Sequence, residues 1–281
     1  MSELRRVAFR VKMRIEVLGV SVREGEFVQG PAGWGEYSPL PSWGPEDRAL
    51  ARSAAIEAAT EAFPEPMRNR VEVNAMVPRV KPEEAVRIAL GSGCRTVKVK
   101  VGDRDGLDRV AAVRDALGAR GRIRLDANGA WDVETAVSEL QRFHRYEIEL
   151  CEDPCSARDQ IAEVRRRSRV PIAIEAPIRS VADARDLQDV ADALVVKPQR
   201  IGGARAALRA AEASKIATIA SSALETSVGL AMVAAVAAAL PESPFAHGIG
   251  TAGLLLDDPV DHPLAPLGGK LVPRRVEPKE A

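Results

Sequence analysis

From residue 71 onward the chain repeats one pattern: a short apolar strand, a turn, then a stretch whose apolar residues recur three or four apart, renewed roughly every 22 to 27 residues. The strands this predicts are "VEVNAMV" (71–77), "TVKVKV" (96–101), "RIRLD" (122–126), "EIELCE" (147–152), "PIAIE" (171–175), "ALVVK" (193–197), "ATIASS" (217–222) and "FAHGIG" (245–250). Helical patterns lie between them, among them "DRVAAVRDALGA", "VETAVSELQRF", "VADARDLQDVA" and "ETSVGLAMVAAVAAAL". About eight such β/α units in succession predict an α/β fold, a closed (β/α)8-type barrel of the triosephosphate-isomerase kind. An open doubly wound sheet is the alternative, but no phosphate loop follows the early strands.

The first ~70 residues differ. Alternating segments ("RVAFRVKMRIEV", "GEFVQG") lead into a Gly, Pro and Trp-rich stretch, "GPAGWGEYSPLPSWGPED" (30–47), and then an alanine-rich helix at about 48–62. This predicts a small α+β capping domain over 1–70 with a lid loop at about 20–47, the barrel over 71–256, and a proline-containing tail, 257–281, packing on the capping domain.

Composition narrows the partners. Lys plus Arg and Asp plus Glu both total 40, so no global field draws the chain to nucleic acid or an anionic membrane, and a small-molecule substrate is expected. The longest apolar run (228–240) is short for a bilayer span and no secretory leader is evident, which predicts a soluble, cytoplasmic protein, monomeric or homo-oligomeric. Cys94, Cys151 and Cys155 lack zinc spacing and read as buried thiols; the three histidines form no HxH or HExxH pattern. "VRRRSR" (164–169) reads as a solvated helix end, and "GIGTAG" (248–253) follows the last strand, leaving no βαβ unit for a dinucleotide.

The chemistry lies at the strand ends. In "TVKVKV", Lys98 and Lys100 share one strand face, while Val97, Val99 and Val101 share the other. Barrel strands converge at their C-terminal ends, which here carry Lys98 and Lys100, then Asp126, Glu152, Glu175 and Lys197. Each acid follows apolar residues, where an ionised carboxylate is costly unless paired or bound to a cation. Three oxygen donors suit Mg²⁺ or Mn²⁺ rather than zinc. A metal-assisted acid/base site accounts for six such groups on consecutive strands better than isolated salt bridges do.

With these motifs assembled, the chain resembles the enolase superfamily in its muconate-lactonising branch. The resemblance is carried by "KVK" (98–100), "DANGAW" (126–131), "EDPC" (152–155), "VVKPQRIGG" (195–203) and "SSALETSVG" (221–229). Through "EDPC", "SALETSVG" and "HGIGTAGLLLDD" (247–258), it resembles most the o-succinylbenzoate synthases of the actinobacterial kind. The resemblance implies a modified (β/α)7β barrel and Mg²⁺ (or Mn²⁺) held by Asp126, Glu152 and Glu175. It implies Lys100 as acid/base, Lys98 as its neighbour and Lys197 across the substrate. The reaction implied is a dehydration forming 2-succinylbenzoate in menaquinone biosynthesis. Apart from the resemblance, "GIGTAG" reads as a tight loop at the barrel mouth whose amides, at Gly248 and Gly250, with Ser221 and Ser222, are candidates to meet the substrate's carboxylate; a plain turn role is the alternative for the two serines. Adjacent ammonium groups beside a dication each disfavour the other's charge, which pulls a lysine from about 10.4 towards the roughly 7 to 8 suited to general base work. Glu175-Ala176-Pro177 departs from the family's usual Asp-Glu-Ser, placing a longer acid at the metal and removing a second one. A racemase of N-acylated amino acids and a non-catalytic acid-binding barrel are the alternatives.

Overall fold

The structure, a computed structural model, describes residues 4–279; the outermost residues of the expected capping domain and tail (1–3, 280 and 281) lie outside it. The chain begins with β1 (Arg5–Val17), β2 (Val20–Gly30) and β3 (Gly33–Tyr37), an antiparallel sheet in which β2 is central. Leu18 and Gly19, both at positive φ, make the two-residue turn that joins the first two strands. Helix α1 (Pro45–Thr60) lies on this sheet, and its buried residues are all alanines. The approach is so close that a Cβ on Gly35 would sit 2.0 Å from the Ala55 carbonyl oxygen. Much of the segment expected as a lid loop is therefore strand: Arg23, Phe27, Val28 and Glu36 are buried there, because alternation continues through it.

The barrel follows: β4 (Val71–Glu72), β5 (Asn74–Val77), α2 (Pro82–Gly91), β6 (Thr96–Lys100), α3 (Gly106–Leu117), β7 (Arg122–Asp126), α4 (Val133–Phe143) and β8 (Ile148–Glu152). It continues with α5 (Arg158–Arg167), β9 (Ile172–Ile174), β10 (Ala193–Val196), α6 (Pro198–Ile201), α7 (Ala204–Ser214), β11 (Ala217–Ala220) and α8 (Ser227–Ala239). Strands β5 to β11 pair in chain order, all parallel, as a curled seven-stranded sheet. The sheet closes through residues 245–250 by single bridges, Val73 to His247 and Ser221 to Gly248, not by a full eighth strand. Glycine permits this closure: a Cβ on Gly248 would lie 2.5 Å from Ser221 Oγ. His247 fills the seam, accepting from the Ala220 amide through Nδ1 at 3.1 Å; burial, with Arg124 and Arg68 nearby, lowers its pKa to about 3.

Both faces of β6 are buried. Its valines pack outward under the helices and its lysines point into the barrel, so the lysine face is not a solvated one. The expected helix at 181–191 is instead turns with one 3₁₀ turn, Leu187–Asp189. Its aspartates compete with helical bonding: Asp183 accepts from the Arg179 amide and Ser180 Oγ, and Asp186 is left-handed. The tail adds β12 (Lys270–Leu271), paired with β4, and touches the first domain where Arg275 donates to the Ala58 and Glu61 carbonyls. It thus straddles barrel and cap. Cys94, Cys151 and Cys155 are buried free thiols, as expected, and no helix among the described residues is long and apolar enough to cross a membrane.

Candidate active site

The C-terminal ends of β6 to β10 deliver the charged groups to one mouth. Lys100, Asp126 and Glu152 are register partners across β6, β7 and β8, so the hydrogen-bond ladder itself sets them side by side. Lys98 donates to Glu152 Oε2 at 2.8 Å and stands 2.9 Å from Asp126 Oδ2. Lys100 donates to Asp126 Oδ2 at 2.6 Å and Asn128 Oδ1 at 2.8 Å. Across the mouth, Glu175 accepts from Lys197 at 2.7 Å and Arg200 at 2.9 Å.

These charges shift one another unequally. Burial opposes the Lys98 ammonium, but Asp126 and Glu152 outweigh it and raise its pKa well above the ordinary value. Burial also opposes the Lys100 ammonium; Asp126 pulls the other way, Lys98 adds repulsion, and the net shift is downward. Only the second lysine is depressed; the first is not, because it sits between two carboxylates. Lys197 is raised: burial acts against it, and Glu175 and Glu152 prevail. Asp126 and Glu175 are held low despite burial, by Lys100 and Lys98 in one case and by Lys197 and Arg200 in the other.

Above the amines lies a cavity open to solvent. Lys98, Lys100, Lys197, Ser221, Ser222, Gly248 and Gly250 all line it, so the amines and the proposed carboxylate-binding residues meet in one place. Asp126, Glu152 and Glu175 lie behind the amines rather than on the lining.

For a divalent ion the donor set has the right chemistry: three buried carboxylates on adjacent strands, already arranged around positive charge. As placed, they serve the lysines, and among the described residues no three acidic, His or Cys side chains are grouped as a ligand set. Asp153, beyond Glu152, binds the Glu175 and Ala176 amides at 2.8 Å each, fixing the turn where the family pattern is broken. Burial and the neighbouring Glu175 push the Asp153 carboxyl well up.

Sequence reasoning did not single out Asn74, Val17, Leu18, Leu40, Met76, Ala223, Leu224 and Thr251, which complete the lining. Asn74 carried a signal, a polar residue in an apolar strand; the apolar wall carried none, since docking of the cap brings Val17, Leu18 and Leu40 to Met76 and Leu224 of the barrel. Arg200 was visible only as part of "VVKPQRIGG". It ties the mouth to the cap, where Asp47 at the start of α1 lies 2.6 Å from Arg179 and 3.5 Å from Arg200.

Known proteins share this architecture. Residues 80–276 match the family described as Enolase C-terminal domain-like, and residues 8–59 the Enolase N-terminal domain-like family. Muconate lactonizing enzyme from Pseudomonas fluorescens, solved with muconolactone, superposes with a TM-score of 0.84 at 20% identity, over 99% of this chain and 95% of that one. A dipeptide epimerase from Enterococcus faecalis, solved with Mg and the dipeptide L-Leu-L-Tyr, gives 0.79 at 20% identity over 98% of each chain. In sequence, the chain is 50% identical to an o-succinylbenzoate synthase of Thermobifida fusca across 97% of its own length and 88% of that protein's. With both domain families matched and half of its residues shared along nearly its whole length, the chain belongs to the o-succinylbenzoate synthase family of the enolase superfamily.

Proposed function

We propose that this mouth is where the chain acts as a lyase, dehydrating 2-succinyl-6-hydroxy-2,4-cyclohexadiene-1-carboxylate to 2-succinylbenzoate, with Lys100 as both base and acid. The observation that carries this reading is the pair of acceptors on Lys100. A free amine has two N–H groups; Asp126 and Asn128 accept two, which leaves the nitrogen lone pair for the cavity that Lys100 lines. A lowered pKa makes that free amine more abundant near neutrality than an ordinary lysine allows.

Lys100 takes the proton α to the substrate carboxylate and becomes an ammonium. It returns that proton to the ring hydroxyl on the same face; the C–O bond breaks, water leaves and the ring becomes aromatic. Lys197, held charged by Glu175, stabilises the negative charge that develops and meets the ring's π face with its ammonium. A divalent magnesium ion held by Asp126, Glu152 and Glu175 supplies further stabilisation of that charge when bound. Ser221, Ser222 and the amides of Gly248 and Gly250 bind the succinyl carboxylate, while Leu18, Leu40, Met76 and Leu224 exclude water from the ring. Absorbance of the aromatic product, followed with and without added Mg²⁺, tests the reading; no product under either condition removes it.

A further inference from the structure

The segment that lines the cavity with Ser221, Ser222, Ala223 and Leu224 is held by the barrel at its start, where the Ser221 and Ser222 amides donate to Val196 and Gly248, and by the capping domain at its end, Leu224. Leu224 has φ +66°, a left-handed conformation that leucine rarely adopts. Its carbonyl accepts from Arg23 Nε at 2.8 Å, and Arg23 belongs to β2 of the capping domain. The same guanidinium donates through Nη2 to the Ser38 carbonyl and, at 3.0 Å, to Ser38 Oγ. Arg23 is only 1% exposed, so its fork is fixed between the two domains. Nothing in Leu224's own side chain favours the left-handed turn. The guanidinium is what reaches its carbonyl.

We propose that Arg23 is a positioning residue for the reaction: from the capping domain it holds the Leu224 carbonyl in its left-handed turn, keeping Leu224 against the cavity beside Ser221 and Ser222, which the barrel itself holds. This rests on the reading of that cavity as the place of reaction. Arg23 touches no reacting atom; it acts through the Leu224 backbone. Lysine cannot replace it, because one ammonium lacks the planar fork that reaches Leu224 and Ser38 together.

The coupling between the two residues is measurable. Arg23→Met is expected to lower kcat/KM roughly 30-fold or more, mainly through KM, because a loosened segment binds substrate less well before it affects proton transfer. Leu224→Gly removes the conformational penalty at that position as well as part of the cavity wall, and lowers kcat/KM by itself. In the Leu224→Gly background, Arg23→Met is expected to cost about threefold or less, because glycine keeps the left-handed turn without the guanidinium. An equal cost in both backgrounds would overturn the proposal. Arg23→Lys, which keeps the charge, guards against a variant that does not fold. Amide hydrogen exchange of this variant is expected to be about tenfold or more faster across 222–226 and unchanged in the barrel strands. Unchanged exchange at 222–226 would equally overturn the proposal. Exchange needs no turnover, so it separates failure of this inference from failure of the assigned reaction.

Discussion

Two clusters of buried charge lie within this molecule, and they are built differently. At the barrel mouth, Asp126, Glu152 and Glu175 are partnered by the side chains of Lys98, Lys100, Lys197 and Arg200. At the junction of cap and barrel, Glu36 is partnered by amides and hydroxyls: it accepts from the Thr226 amide at 3.1 Å and the Gly229 amide at 2.9 Å, and from Thr226 Oγ1 and Ser38 Oγ. Asp258, from the tail, likewise accepts from the Ser227 amide and hydroxyl, so the N-terminus of α8 is capped by carboxylates from both other parts of the chain. Side-chain partners can swing when a cation or substrate arrives, whereas amides fixed in a helix cannot. One cluster is suited to exchanging partners, the other to holding domains in register.

Emptying the mouth of divalent cation probes the exchangeable side of this contrast most severely. Chelation is expected to lower turnover roughly 10³-fold or more, with recovery on added Mg²⁺, read by product absorbance. Replacing Lys197 by alanine leaves Glu175 with Arg200 and removes the positive charge facing Lys100 across the cavity. Turnover is expected to fall about 10²-fold while the urea midpoint changes little. At the junction the order of effects reverses. Glu36→Ala orphans the Thr226 and Gly229 amides, so unfolding free energy is expected to drop by about 2–4 kcal/mol, with Glu36→Gln losing less. Urea denaturation reads both.

The smallest effect concerns Glu225, whose Oε1 has no partner among the described residues and whose Oε2 accepts from the Ala223 amide at 2.6 Å. Burial, with Glu36 adjacent and Arg23 only partly compensating, raises its pKa from 4.5 to about 7. Between those values the folded state binds more protons than the unfolded one, so this group's contribution to stability falls as pH rises and is lowest above pH 7. Glu225→Gln is therefore expected to gain about 1 kcal/mol on wild type at pH 8.5, and less at pH 5. His247 has the opposite sign: its pKa is lowered from 6.5 to about 3, so it destabilises the fold as pH falls below 6.5.

The contrast also explains what could be read from sequence. Lysines and acids at the mouth were legible because barrel strands place their last residues together, and each acid followed an apolar run that made its charge conspicuous. The parallel order of the strands followed from the same periodicity. The junction was not legible: Glu36 and Thr226 lie 190 positions apart, and only docking of the cap brings them into contact. The left-handed turns at Leu18 and Leu224 escaped for a related reason, since tertiary contacts rather than glycine hold the second of them. Residues 181–191 had a helical period, but aspartates that bond to their own backbone override a weak propensity. The unequal shifts of Lys98 and Lys100 depended on which lysine lies between two carboxylates, a matter of depth in the barrel that alternation alone does not reveal.

The central claim is that the Lys100 amine removes and returns the proton. Its most direct test is turnover of 2-succinyl-6-hydroxy-2,4-cyclohexadiene-1-carboxylate by Lys100→Ala protein in saturating Mg²⁺, alongside wild type of matched circular dichroism. The account predicts that wild type forms the aromatic product and the variant is slower by about 10³-fold or more. A folded variant within tenfold of wild type would contradict it.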